Sequence, residues 1–208
     1  MAVTSKLSVS DDIYQSPQNT RKSMETSTQF TSNSALDLLF SPELISAEVQ
    51  SLLPSNLHVR SCTAIALFQP HDFSQIRPLA SSDYNRGHLS VLNVLTTVPD
   101  PGEAAWVAQF EAIRAIPHTY YPIVIVNKDT DTIVALGTVF IERKFIRGLG
   151  SAGHIEDIAV DKSQQGKKLG LRILQALTSI SENSGCYKTI LNCNKDNIRE
   201  LGVSGLSC

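Results

Sequence analysis

The chain has 208 residues, 42% of them hydrophobic, with 18 Lys and Arg against 20 Asp and Glu. This suits one domain with a real core plus additional segments, and a net charge of −2 offers no basic field to nucleic acid or an anionic membrane. No apolar run reaches the ~18 residues that a membrane-spanning helix needs, so a cytoplasmic protein is expected.

Residues 1–34 are rich in Ser, Thr, Asn and Gln and hold no apolar signal-like run, which predicts a disordered polar tail. Residues 35–55 form an N-terminal extension. There, Ser41 followed by Pro42 and Glu43 reads as a helix start, and Leu44, Ile45, Val49, Leu52 and Leu53 give that helix an apolar face up to Pro54. Such a face packs on its own domain or takes up a partner. Residues 56–72 hold a separate apolar patch, Val59, Cys62, Ala64, Ile65, Leu67 and Phe68, and read as an insertion. Cys62, Cys186, Cys193 and Cys208 show neither CxxC spacing nor a disulfide framework, which predicts reduced thiols and no metal.

The domain proper spans 73–198 and opens with a short strand over 73–79. Ser82-Asp83 then caps a helix whose one face carries Tyr84, His88, Val91, Leu92 and Leu95, which makes His88 a helix-face residue rather than a catalytic one. Thr96-Thr97 ends it. Asp100-Pro101-Gly102-Glu103 supplies a cap, a first-position proline and a reciprocal acid for a second helix with Trp106, Phe110 and Ile113. Extended runs over 121–126 and 132–142 flank Asn127-Lys128-Asp129-Thr130-Asp131, a hairpin signal, and residues 154–160 add a third strand to this antiparallel meander. Leu169, Ile173, Ala176, Leu177 and Ile180 then form the apolar stripe of a long helix that stops near Gly185, followed by a strand over 187–193.

That long helix is opened by Gly166-Lys167-Lys168-Leu169-Gly170. A glycine-bearing turn there exposes the first helical N–H groups and the positive end of the helix dipole, which suits a phosphate or pyrophosphate, and Lys167 and Lys168 add matching charge. The same glycines would also serve as plain turn and packing devices. Neither the P-loop spacing nor the three-glycine dinucleotide fingerprint is present.

Residues 153–160, followed by Gln165-Gly166-Lys167-Lys168-Leu169-Gly170, resemble the acetyl-CoA-binding core of the GNAT superfamily of acetyltransferases. The superfamily loop reads Gln/Arg-x-x-Gly-x-Gly/Ala; Gln165 and Gly170 match it, and Lys168 stands where glycine is usual. Four stretches are similar to the glucosamine 6-phosphate N-acetyltransferases, the fungal type especially: Val94-Leu95-Thr96-Thr97-Val98, Ile141-Glu142-Arg143-Lys144, residues 154–160, and Gly185-Cys186-Tyr187-Lys188. The resemblance covers about 73–198 and, more weakly, 38–54.

The resemblance implies an α/β (α+β) GNAT acyl-CoA N-acyltransferase fold, a mostly antiparallel mixed sheet flanked by helices. It also implies acetyl transfer from acetyl-CoA to the amine of D-glucosamine 6-phosphate, without a covalent intermediate, in UDP-N-acetylglucosamine biosynthesis. Glu156 is the implied acceptor of the amine proton, and Asp157 and Ile158 complete the catalytic set. The cofactor falls to Ile158, Ala159 and Val160 along the pantetheine arm, and to Gln165, Gly166, Lys167, Lys168, Leu169, Gly170 and Leu171 around the pyrophosphate. Asn192 stands where the family places an aspartate near the cofactor. The phosphosugar falls to Thr96, Lys144, Phe145, Ile146, Arg147, Tyr187 and Lys188, together with Glu156, Asp157 and Ile158. A homodimer is implied as well.

Past residue 198 the family continues into a Phe-Tyr-Glu-Lys-Cys-Gly-Phe helix and two strands, whereas this chain reads Arg199-Glu200-Leu201-Gly202-Val203-Ser204-Gly205-Leu206-Ser207-Cys208. The last helix and two strands are therefore expected to be lacking. With them go the tyrosine that assists the departing thiolate and a strand that helps form the homodimer. Residues 56–72 and 199–208 together read as unspliced or misassembled coding sequence. Two alternatives stay open: a GNAT enzyme for another amine, and an inactive chain that only binds acetyl-CoA.

Overall fold

The computed structural model describes residues 29–51 and 75–191. The expectations for the tail up to residue 28, for Leu52, Leu53 and Pro54, for the 56–72 insertion, for Asn192 and for residues 199–208 fall outside the described residues. Five strands form one sheet in the order β1 (Gln75–Pro78), β2 (Tyr120–Asn127), β3 (Thr132–Arg143), β4 (Ser151–Val160) and β5 (Cys186–Leu191). Neighbours from β1 to β4 run antiparallel, and β5 joins β4 in parallel, so the sheet is mixed and mostly antiparallel as expected. The helices are α1 (Ala47–Ser51), α2 (His88–Leu92), α3 (Glu103–Arg114), the short α4 (Ile146–Leu149) and α5 (Leu169–Asn183).

Strand periodicity sorts the core into two layers. Ile123 and Ile125 of β2 face one way and join the α5 stripe of Leu169, Ile173, Ala176, Leu177 and Ile180. Val124 and Val126 face the other way and meet Val91 of α2 with Trp106 and Phe110 of α3. Successive side chains on a strand point to opposite faces, so a run that is apolar throughout marks a strand covered on both sides. Segment 29–51 lies across this domain as a strap. Leu38 bridges Ala80, Asp37 pairs with Arg114 at 2.6 Å, Phe40 meets the Tyr121 ring edge-on at 5.0 Å, and Ile45 and Val49 enter the core. Of its expected apolar face, Ile45 and Val49 are thus spent on its own domain, while Leu44 is exposed.

The first three helices differ from their sequence reading. The one expected from Pro42 splits: Ser41 Oγ does accept from the Glu43 N–H, but Pro42–Leu44 is a single 3-10 turn, Ile45 is extended, and α1 begins only at Ala47. Extending the chain at Ile45 lets that side chain drop into the core beside Val49. The helix expected after Ser82-Asp83 also breaks, because Gly87 takes a left-handed φ of 84° between a 3-10 turn (Asp83–Arg86) and α2. Leu95 consequently falls beyond α2 and is exposed. Asp100 does not cap α3; its carboxylate accepts from the Gly102 N–H and the Tyr84 hydroxyl, and Glu103 accepts from Asn85 instead of reaching back. His88 is a packing residue, as expected. Its Nδ1 accepts from Trp106 Nε1 at 3.2 Å, and burial lowers its pKa to about 4, so the ring is neutral at physiological pH.

The feature that shapes the site is a β-bulge. Leu136 pairs with Ala159 while Thr138 pairs with Glu156, so β4 carries one extra residue opposite Gly137. Asp157, in the bulge, sits at φ 57°, a left-handed conformation uncommon for a residue with a side chain. Gly137 is required by space: a Cβ there would lie 2.6 Å from Ile173 Cγ2 and 3.1 Å from Leu177 Cδ1. Gly137→Ala is expected to cost about 1–3 kcal/mol through overpacking against α5. Urea unfolding checks this, and an unchanged midpoint would show that α5 can move away.

Candidate active site

β4 carries the site from end to end. Before the bulge, His154 and Glu156 lie on one face, opposite Phe140 and Thr138 of β3. Pairing between β4 and β5 runs in the described residues only as far as Ile155 with Leu191. Past that pair β4 runs on through the bulge to Val160. Ala159 is buried, while Ile158 and Val160 are partly buried against the α5 side of the core. Asp157 as a residue is exposed, yet its carboxyl is partly withdrawn from water. This burial, with the adjacent Glu156 charge adding to it, pushes its pKa above the ordinary carboxylate value.

Beyond β4, Asp161 caps a short 3-10 turn (Lys162–Gln164) and the chain enters the loop before α5. Gln165, Gly166 and Lys168 are exposed, and Gly166 and Lys168 both take positive φ, 80° and 61°. Loops of this kind aim successive N–H groups into one concavity, and α5 adds the unpaired N–H groups of Leu169, Gly170 and Leu171. The loop therefore fits a pyrophosphate. Helix α5 begins at Leu169, later than the sequence reading placed its opening, with Lys168 as the left-handed residue before it. Lysine in that conformation costs ~1 kcal/mol that glycine does not. Lys168→Gly should raise the apo protein's melting temperature by a few degrees, and a fall would show that the lysine side chain holds the loop.

The residues expected at the sugar phosphate gather at the opposite end of β4. Lys144 follows β3 and its N–H closes the loop onto the Gly150 carbonyl at 2.9 Å. Arg147 reaches over the Tyr187 ring at 5.9 Å and Lys188 approaches the same ring at 5.7 Å. Arg147 and Leu149 are left-handed at φ 57° and 63°, so α4 is an irregular turn rather than a helix. Phe145 and Ile146 point outward, 97% and 63% exposed. Thr96 lies in the exposed turn after α2. Cross-strand register puts Lys188, Ala152 and Glu142 in one row, about 13 Å along β4 from Glu156. The structure thus brings Lys144, Arg147, Tyr187 and Lys188 to one end, the loop 165–168 to the other, and Glu156 with Asp157 between them. Asn192 is outside the described residues.

Sequence reading missed the bulge that aims Glu156 and Asp157. Its signal was Gly137 inside an otherwise apolar strand, since a lone glycine there marks a bulge or a close backbone approach. Thr138, Phe140 and Glu142, which floor the same face, were hidden by the continuous run of β3.

The model of the acetyltransferase (GNAT) family matches residues 83–203. The chain belongs to the GNAT family of acetyltransferases. Among curated relatives, glucosamine 6-phosphate N-acetyltransferase 1 of Dictyostelium discoideum is 40% identical over 128 residues, 62% of this chain and 81% of that protein. The Candida albicans glucosamine 6-phosphate N-acetyltransferase is 40% identical over 122 residues, 59% of this chain and 81% of its own length. Among solved structures, the glucosamine-6-phosphate N-acetyltransferase of Arabidopsis thaliana superposes with a TM-score of 0.60 at 36% identity, covering 64% of this chain and 93% of that one. As a GNAT protein the chain is an acetyl-CoA-dependent N-acetyltransferase, and the GNAT fold read from its motifs is the fold it has. Among the described residues no helix is long and apolar enough to cross a membrane.

Proposed function

We propose that this protein acetylates the amine of D-glucosamine 6-phosphate, giving N-acetyl-D-glucosamine 6-phosphate and CoA on the route to UDP-N-acetylglucosamine. The observation that carries this reading is the layout of β4: paired carboxylates at a bulge, an anion-accepting loop beyond one end, and three cationic side chains at the other. A thioester is attacked by a neutral amine, so the site must orient two substrates, take up a proton and stabilise an oxyanion. Glu156 takes the amine proton, directly or through water. Asp157 keeps the sugar oriented beside it. The Ile158 N–H polarises the thioester carbonyl, while the Ala159 and Val160 backbone aligns the pantetheine arm. Residues 165–171 hold the pyrophosphate with N–H groups and the Lys167 and Lys168 charges.

At the far end, Lys144, Arg147 and Lys188 give a dianionic phosphate charge-assisted donors. Their long side chains shorten the distance along β4 that a phosphosugar has to bridge. Phe145, Ile146 and Leu149, 97%, 63% and 72% exposed, supply apolar surface for a second copy of the chain, so the active form in this reading is a homodimer.

The test is CoA release by the purified chain supplied with acetyl-CoA and either glucosamine 6-phosphate or unphosphorylated glucosamine. Phosphate-dependent release is the expected result. Equal release from both acceptors would move the protein to another amine, and none from folded, CoA-binding protein would make it a binding module.

A further inference from the structure

Glu142 stands among the cations of the sugar-phosphate end, and the function proposed above gives it no role. Its Oε2 receives both the Lys144 ammonium and, at 2.9 Å, the His154 Nε2. Those two neighbours hold its carboxyl below the ordinary glutamate pKa, Lys144 with the larger effect. His154 is fixed from behind, because its ring stacks on Phe140 with centroids 4.7 Å apart and planes 7° from parallel. Lys144 is not fixed in that way; it and Glu142 are 28% and 40% exposed.

We infer that Glu142 is a positioning residue that holds Lys144 in the absence of acceptor and competes with the acceptor's phosphate for it. This rests on the phosphosugar reading above and adds to it the residue that sets how tightly the phosphorylated acceptor is held. An exposed lysine–carboxylate pair is a weak contact, whereas a phosphate dianion takes charge-assisted bonds from Lys144 together with Arg147 and Lys188. The ammonium therefore transfers to the phosphate when acceptor binds. Glu142 is not left alone by that transfer, because it keeps the His154 Nε2 contact. The product carries the same phosphate, so the carboxylate competes with it for Lys144 just as it does with the acceptor's and weakens the hold on both. Glu142 thus trades acceptor affinity for product release.

The test measures KM and kcat for glucosamine 6-phosphate and for glucosamine with the wild type, Glu142→Gln, Lys144→Met and the double variant. Glutamine keeps the shape of the side chain and a hydrogen-bonding group for His154, and turnover of glucosamine reports that the site is intact. Glu142→Gln should lower KM for the phosphorylated acceptor by about three- to tenfold at low salt and leave KM for glucosamine unchanged. Raising the ionic strength to 1 M should erase most of the gain, since screening then acts within ~3 Å. In the Lys144→Met background the same replacement should change KM by less than about twofold, because the competed-for ammonium is gone.

An unchanged or higher KM in Glu142→Gln overturns the inference alone, provided the wild type still prefers the phosphorylated acceptor. An undiminished gain in the double variant also overturns it, leaving only a general field effect. A wild type without phosphate preference overturns the functional reading and this inference together.

Discussion

Replacing Glu156 by Gln is expected to lower kcat for acetyl transfer by about 10²–10⁴-fold, the contribution of a positioned general base. The substitution is nearly isosteric, so the Thr138–Glu156 register and the bulge behind it persist and the effect is chemical rather than structural. KM for acetyl-CoA should change little, because in the function proposed above residues 158–160 and 165–171 would offer that substrate backbone groups that a side-chain replacement leaves alone. Asp157→Asn provides the internal comparison. Burial of its carboxyl, and further the Glu156 charge, raises the Asp157 pKa above the ordinary aspartate value, and its proposed task is to orient the sugar. Its loss should fall more on the acceptor's KM than on kcat. Steady-state kinetics on both variants, with circular dichroism to confirm folding, checks the assignment. A drop of less than tenfold for Glu156→Gln would remove Glu156 from the proton path.

Much of this arrangement is legible in the sequence wherever periodicity is strict. The α5 stripe from Leu169 to Ile180 is buried at every position named from spacing, and the hairpin falls on the Asn127–Asp131 turn. The bounds of β2 to β4 and the start of β5 move by three residues or fewer. The losses come where a local signal competes with a tertiary one. Pro42 and Ser41 do start a helical turn, but burying Ile45 and Val49 of the strap is worth more than continuing the helix. Gly87 interrupts the Ser82–Leu95 pattern because its left-handed φ redirects the chain, and periodicity alone says nothing about backbone handedness.

The site divides in the same way. Loop 165–170 and the Glu156-Asp157 pair were recognisable from motif, while the bulge that sets their relative aim was not. The motif marks Lys144 as a phosphate ligand, while its contact with Glu142, which also meets His154, needs the β3–β4 register to be seen. The sequence makes Asp83 part of a helix cap, whereas in the structure it is the buried partner of a strand arginine.

That partnership carries the largest expected change in stability. Arg77 and Asp83 are 1% and 0% exposed, and the guanidinium donates from both terminal nitrogens, each at 2.7 Å, to the two carboxylate oxygens. Asp83 also accepts from the Ala80 N–H at 2.8 Å, which ties the end of β1 to the turn that leads into α2. Arg77→Met leaves this carboxylate buried without its main counter-charge and should cost about 3–5 kcal/mol. A domain is commonly stable by only ~5–15 kcal/mol, so the melting temperature should fall by roughly 6–20 °C.

Arg77→Met combined with Asp83→Asn should lose less than Arg77→Met alone. The amide removes the stranded charge while its oxygen can still accept from Ala80. A buried ion pair is costly to break by halves and cheaper to replace whole, and the arginine Nε here already lacks a hydrogen-bond partner. Thermal melts of the two variants decide the matter; a double variant less stable than the single would show that Asp83 acts mainly through its other contacts, such as Arg86 at 3.4 Å. Both variants should also loosen α2 and the turn holding Thr96, because Asp83 anchors that connection to the sheet. Arg77 stands in one row with Val124, Leu136 and Ala159, at the same end of the sheet as loop 165–168, so KM for acetyl-CoA should rise along with KM for acceptor.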